Sequence, residues 1–172
     1  KALHHQTGIS LIDSSKITAS RFFALIGYDP WKMKDADLLT VRRLMRTDDK
    51  PIPAKAAFSD LTKVIESSRN NTYAVVDEEK RLIGILRFKD ISRNLFDPAL
   101  GTLVRAYDLA IPTSLVLVRG LKIEEIAAAF KKSEDDCLPV VESLNDPHYI
   151  GYVRRLDLHK VLMQDPDSPL HI

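Results

Sequence analysis

The chain has 172 residues, enough for one domain or for two small ones sharing a core, and with 45% hydrophobic residues it can bury a sizeable interior. Its 25 Lys and Arg balance 24 Asp and Glu, which excludes a global field drawing it to nucleic acid or to an acidic membrane surface. The single cysteine, Cys137, excludes an internal disulfide and a paired-thiolate metal site.

Residues 1–37 show no initiator Met, no charged-then-apolar leader and no small-residue cleavage site, so the expectation is a connector at the start of an excised fragment. His4 and His5 are adjacent and point apart on any regular element, which makes them a poor metal pair and reads as solvated tail. Phe22, Phe23, Tyr28 and Trp31 suit packing onto the rest of the chain or a neighbouring subunit, or a hydrophobic connector facing a membrane partner. The longest apolar runs, LIGIL and SLVLV, are strand-sized and far short of the roughly 20 residues of a membrane helix. Arg42, Arg43 and Arg46 form a basic face. No aromatic platform interleaves them, so a solvated or dimer-facing helix edge is expected rather than nucleic-acid contact.

A short extended segment at 51–53 comes next, then a helix in which Leu61, Val64 and Ile65 recur at helical spacing after Ser59, the expected N-cap. Strands at 73–76 and 82–86, joined by a polar turn, read as a hairpin, and Ile91 and Leu95 open another helix. The series then begins again with an extended segment at 114–118. Ile123, Ile126, Ala127 and Phe130 mark a helix with Glu124 and Glu125 in its first turn. Strands at 138–141 and 149–153 and a helix carrying Leu158, Val161 and Leu162 complete it. Cys137, just before the strand LPVVE, reads as a buried strand-edge residue.

The repetition extends to wording. GILRFKD at 84–90 and GYVRRLD at 151–157 both place Gly first, an apolar pair next, Arg fourth and Asp seventh. A unit of about 50 residues covers one face of a three-stranded sheet and buries little alone. Two copies packed sheet to sheet solve that, each with a right-handed crossover between its first two strands. The expected product is a pseudo-two-fold domain with a cleft between its halves.

The pieces VRRLM, YAVVD and LIGILRFKDI, with second copies VRAYDL, LPVVE and YIGYVRRLDL, occur in one order over roughly 38–163. In this the sequence resembles the tandem CBS domain, or Bateman module. The resemblance implies an α+β fold, a CBS-domain pair of two β-α-β-β-α repeats packed sheet to sheet with pseudo-two-fold symmetry. Its parts would be a connector at 1–37, repeat 1 at 38–97, repeat 2 at 98–165 and a tail at 166–172. The stretch LFDPALGTLVRAYDLA at 95–110 is similar to the connection in CBS pairs at the cytoplasmic end of CLC chloride channels and transporters, especially bacterial ones. That implies a non-catalytic regulatory module at the cytoplasmic face of the cell membrane, working as a homodimer with a transmembrane transporter domain of the same parent chain and no nucleic acid.

In nucleotide-binding members the strand-to-helix turn carries G-h-x-[Ser/Thr]-x-x-Asp, whose Asp accepts hydrogen bonds from ribose. Carried over, with backbone groups around the first and second strands holding the adenine, this implies an adenine-nucleotide site (ATP, ADP or AMP) drawn from Ile52, Tyr73, Ala74, Val75, Arg87, Asp90, Leu115, Leu138, Pro139, Val140, Arg154 and Asp157. Arg87 and Arg154 stand where the family has Ser or Thr. Each is able to meet a phosphate with a planar, charge-assisted contact, or to pair with the nearby Asp and close the pocket. Asp90 and Asp157 are equally read as helix N-caps, with or without a ribose, and Gly84 and Gly151 as sheet packing or ligand access. His148 and His159 are isolated and read as surface. No Gly-rich phosphate loop, metal spacing or catalytic set occurs. A ligand-free dimerisation module and a regulatory CBS pair of a soluble metabolic enzyme remain as other readings.

Overall fold

The computed structural model describes residues 41–113 and 115–163. The expected connector with His4, His5, Phe22, Phe23, Tyr28 and Trp31, the residue Ser114 and the expected tail at 166–172 lie outside them. The elements in chain order are α1 (Val41–Leu44), β1 (Ile52–Pro53), α2 (Phe58–Ser67), β2 (Thr72–Val76), β3 (Leu82–Arg87) and α3 (Phe88–Ile91), followed by a 3-10 turn at Ser92–Asn94. The second series is α4 (Ala106–Leu109), β4 (Leu117–Val118), α5 (Ile123–Lys131), β5 (Cys137–Val141), β6 (Tyr149–Arg154) and α6 (Arg155–Met163).

Two three-stranded sheets result, ordered β1-β2-β3 and β4-β5-β6. In each the first strand runs parallel to the second and the second antiparallel to the third. The registers are copies: Ile52 faces Val75, Val75 faces Gly84 and Thr72 faces Arg87, as Leu117 faces Val140, Val140 faces Gly151 and Cys137 faces Arg154. Even the irregularity recurs, between Val75 and Val76 and between Val140 and Val141. β2 and β5 pack against each other across the two sheets, and all five residues of β5 are buried. A strand covered by helices on one face and by a second sheet on the other must read as a near-continuous apolar run, as CLPVV does.

Ser59 is not the N-cap of α2; Ala57 is, and it makes no side-chain cap bond. The reason is tertiary. The first helix donors, Phe58 and Ser59 N–H, reach Val104 O (2.9 Å) and Gly101 O (3.2 Å) of the inter-repeat connection, so orphan groups that a cap would satisfy are already paired. In α5 the Glu125 carboxylate does cap, accepting from Lys122 N–H at 3.1 Å.

Each half completes its core with a piece of the other. Val41 and Leu44 of α1 are buried in the cluster built by β4–β6, α5 and α6, while Ala106 of α4 belongs to the cluster of Ile52, Phe58, Leu61 and Leu86. Backbone bonds fix the exchange: Val41 N–H donates to Leu121 O (2.9 Å) and Ala106 N–H to Ala56 O (2.9 Å). Beyond those helices, Arg46 pairs with Tyr152 on β6, and Ile111 pairs with Ile85 on β3. The added segments pass directly over the glycines of the repeated heptapeptide. A Cβ on Gly84 would lie 2.8 Å from Ile111 O, and one on Gly151 2.6 Å from Arg46 O. Of the two sequence readings of these glycines, the geometry gives close backbone approach.

Cys137 opens β5 at 4% exposure, as the sequence suggested. Burial pushes its thiol well above the ordinary thiol range, and the thiolate is the reactive form. The native chain should therefore resist an aromatic disulfide reagent at pH 8 and release one equivalent on addition of denaturant; rapid labelling of the native chain would contradict the packing.

Candidate functional site

Two equivalent corners follow from the repeat, where β3 runs into α3 and where β6 runs into α6. No loop intervenes, since the helices begin at Phe88 and Arg155 immediately after Arg87 and Arg154. Asp90 and Asp157 therefore fall at the third helical position, which corrects the sequence reading of both as N-caps; Arg87 is the cap residue of α3. A carboxylate there still favours the helix start through its dipole.

The corners have opposite fates. At the second, Asp157 is 14% exposed at its side chain and receives Arg154 in a fork, Nε to Oδ2 at 3.0 Å and Nη2 to Oδ1 at 2.9 Å. Arg46 forks onto the same carboxylate, Nε to Oδ2 and Nη2 to Oδ1, the latter at 3.1 Å. The Arg154 hydrogen bonds, reinforced by those of Arg46 against the cost of burial, hold this carboxyl far below the usual carboxylate range. Arg46 thus leaves the basic face expected of it; Arg42 and Arg43 remain exposed.

At the first corner Arg87 turns the other way, onto Asp135 of the second repeat, with Nε to Oδ1 at 2.6 Å and Nη2 to Oδ2 at 3.1 Å. Burial opposes ionisation of Asp135, but the Arg87 hydrogen bonds and charge outweigh it and lower its pKa. Asp136 beside it accepts from Asn71 N–H (3.0 Å) and Thr72 Oγ1 (2.9 Å). Asp90 is left exposed, with no hydrogen bond or ion pair among the described residues. A cavity of 370 Å³ opens at this corner, lined by Asn71, Thr72, Arg87, Phe88, Lys89, Glu134, Asp135 and Asp136, with Asp90 outside its lining.

Two differences between the copies account for this. Where the segment leading into β1 carries Arg46, the one leading into β4 carries Ile111, which has no charge to send to Asp90. Where repeat 2 offers the carboxylate of Asp135 to Arg87, repeat 1 offers the neutral Asn70, already engaged with Asp49, so Arg154 falls back on Asp157.

Of the other expected site residues, Ile52, Val75, Leu138 and Val140 are 0–1% exposed and Tyr73 is 6% exposed, their side chains spent on the helix-side cores. Leu115 packs partly buried against the second core. Ala74 and Pro139 do meet at the centre of the interface, where Tyr73 also reaches, together with Thr72, Ile85, Cys137, Tyr149 and Tyr152, but the space there is 20 Å³, about one water. The expected cleft is closed at its middle, while space opens at the first corner and, at 390 Å³, beside the β2–β3 turn among Pro53, Lys55, Asp77, Arg81 and Tyr107. Arg46, Asp135, Asp136 and Lys89 were not among the expected site residues; reading the two copies for their differences rather than their likeness would have pointed to the first two. Among the described residues no group of His, Cys, Asp and Glu is arranged to hold a metal, and no helix is long and apolar enough to cross a membrane. His148 and His159 are exposed.

Residues 37–97 match the family model described as CBS domain. The structure is similar to the CBS domains of a transcriptional regulator from Streptococcus pneumoniae, with a TM-score of 0.61, 17% identity and coverage of 72% of this chain and 98% of that one. It is also similar to the CBS domain of a bacterial CNNM/CorC family Mg2+ transporter in complex with ATP (TM-score 0.62, 15% identity, 75% and 90% covered). CBSX2, a CBS-pair protein of Arabidopsis thaliana, in complex with AMP gives 0.60 at 19% identity, with 73% and 97% covered. At these identities the likeness is one of fold. Among curated proteins the sequence has no match.

Proposed function

From a CBS-pair fold with one open corner and one closed one, we propose that the chain is a non-catalytic regulatory module that takes one adenine nucleotide at the first corner. The observation that carries this is the contrast between the first corner, where Asp90 is exposed and a 370 Å³ cavity is lined by Arg87, Phe88 and Lys89 of the same turn, and the second, where Asp157 is saturated by two arginines. Two of the structurally similar proteins, CBSX2 and the CNNM/CorC CBS domain, hold AMP and ATP. In this chain Asp90 would accept from the ribose hydroxyls, with Lys89 and Arg87 on the phosphate side.

The charge around that cavity selects among nucleotides. Glu134, Asp135 and Asp136 line it against Arg87 and Lys89, and Arg87 is already neutralised by Asp135. Each further phosphate adds negative charge near carboxylates, which costs on the order of 1 kcal/mol or more at solvent-exposed distances. AMP is therefore expected to bind better than ATP. At about 100 times its dissociation constant AMP should add roughly 2.7 kcal/mol of apparent stability, read as a thermal shift, with ADP and ATP giving less at equal concentration. Asp90→Ala should abolish the shift and leave the unliganded melting temperature in place. No shift with AMP, ADP, ATP or S-adenosylmethionine would remove the nucleotide reading.

The parent protein in this proposal is a CLC-type chloride channel or transporter, the module sitting at its cytoplasmic face as a homodimer. The support is the sequence of the connection at 95–110, which the fold lays along the start of α2 through Val104, Ala106 and Tyr107. Coupling to transport requires that the nucleotide favour one conformation over another by its differential affinity. The full coding sequence decides between parents: several membrane spans in it support the transporter, and a soluble catalytic domain supports the enzyme regulator instead. The closed second corner and filled centre favour, as a second reading, a ligand-free dimerisation module.

A further inference from the structure

The second corner is closed by a residue from outside its own repeat. Arg46 sits on the segment that enters repeat 1 yet pairs along β6, with its N–H on Tyr152 O at 2.7 Å and its O accepting from Tyr152 N–H at 3.0 Å. That ladder delivers the guanidinium to Asp157. A carboxylate offers about four lone-pair sites, and here the forks of Arg46 and Arg154 supply four donors. No acceptor capacity is left for a diol. The symmetry-equivalent Ile111 makes the same backbone pairing with Ile85 and leaves Asp90 exposed, so the backbone path itself does not block a corner; the side chain does.

We propose that Arg46 is a built-in occupant of the second corner, holding the place of a nucleotide's ribose, so that the entry segment and a ligand exclude each other at Asp157. This rests on the reading of the first corner as a nucleotide site, carried to its symmetry mate. The exclusion is reciprocal by linkage: whatever withdraws Arg46 raises ligand affinity at the second corner, and a ligand there loosens Arg46 by the same factor. Loosening would spread along the segment, since Asp48 accepts from Tyr152 Oη at 2.7 Å and Asp49 from Ser68 Oγ at 2.5 Å. The site count of the module is thus set by one side chain of the entry segment, and the four residues from Arg46 to Asp49 form the element that a second ligand would release.

The test is the stoichiometry of AMP binding to the 172-residue chain by titration calorimetry. The wild type should bind one AMP. Arg46→Ile combined with Arg154→Thr gives the second corner an isoleucine lead and the family's hydroxyl, and should bind two; adding Asp157→Ala to that background should return the count to one. A double variant that keeps its circular dichroism spectrum and a single melting transition above the assay temperature, yet gains no site, overturns the proposal. A wild type that binds no AMP ends the reading of the first corner. The double variant then still judges Arg46, by gaining one Asp157-dependent site or none. If the double variant is unfolded at the assay temperature, Arg46→Ile alone, with the Arg154–Asp157 pair retained, is titrated against the same criterion.

Discussion

Gly151→Ala is expected to destabilise the chain by about 3 kcal/mol, and Gly84→Ala by about 2 kcal/mol, as overpacking against atoms that cannot rotate away. The added methyl would meet Arg46 O at 2.6 Å and Met45 Cγ at 2.7 Å in the first case, and Ile111 O at 2.8 Å and C at 3.1 Å in the second. The obstacle in both is backbone of a segment already fixed by ladder hydrogen bonds, so relief requires the exchanged segment to lift from its sheet. For a chain of this length the melting temperature should fall by roughly 10 °C for Gly151→Ala. Gly101→Ala is the control: its nearest neighbours would be 3.5 Å away, and it should stay within about 0.5 kcal/mol of wild type. If all three variants melt together, close approach does not explain the repeated glycine.

The two aspartates of the repeated heptapeptide should part company in the same assay. Asp157→Ala leaves the guanidiniums of Arg46 and Arg154 facing each other without their shared carboxylate. A fully buried pair broken in this way costs about 3–5 kcal/mol and an exposed one under about 1 kcal/mol. With Arg46 38% and Arg154 22% exposed at the side chain, solvent screening places the expected loss between them, at about 2 kcal/mol. Asp90→Ala, on an exposed carboxylate with no partner to lose, should fall within about 0.5 kcal/mol. Acid titration separates them further. The folded pKa of Asp157 is depressed, so its contribution is fully present above the unfolded carboxylate value of about 3.9 and is lost as pH falls below it, through the folded value. Asp135 acts in the same direction. Wild type should therefore lose stability steeply below about pH 4, and Asp157→Ala should lose less over the same range. An acid limb of equal slope in both would show that the fork contributes nothing to folding.

Much of the architecture was legible because it is written in periodicity. Alternation and spacing locate both hairpins and the helices α2 and α5, and the duplication itself implies two sheets face to face. The boundaries shift by a residue, as where Thr72 and Cys137 join their strands, since hydrogen bonding extends past the apolar run. What periodicity does not carry is which half a segment packs against. Ser59 looks like a cap because the sequence does not reveal that Gly101 and Val104 will satisfy the helix start. Asp90 and Asp157 look alike because each sits in the same heptapeptide, while their surroundings are decided by Arg46 and Asp135, distant in the chain and ordinary in local pattern. The burial of the side chains of Ile52, Tyr73, Val75, Leu138 and Val140, whose backbone groups the expected site would use, follows from strand alternation: a register that sends Ala74 and Pro139 to the interface sends their neighbours to the helices.

The exchange of leading helices also bears on how the chain acquires its structure. Val41 finds its place beside Leu121, and Arg46 beside Tyr152, after most of the polypeptide between them exists. In synthesis from the N-terminus, repeat 1 can form its hairpin early but lacks Ala106 and the α4 turn that close its core, while α1 waits for strands not yet made. Such long sequence separations raise contact order and slow folding, and they make the two halves one cooperative unit rather than two that assemble. A ribosome-bound first repeat would therefore expose the Leu61 and Phe58 face until residue 106 emerges, a window in which a holding chaperone has something apolar to grip.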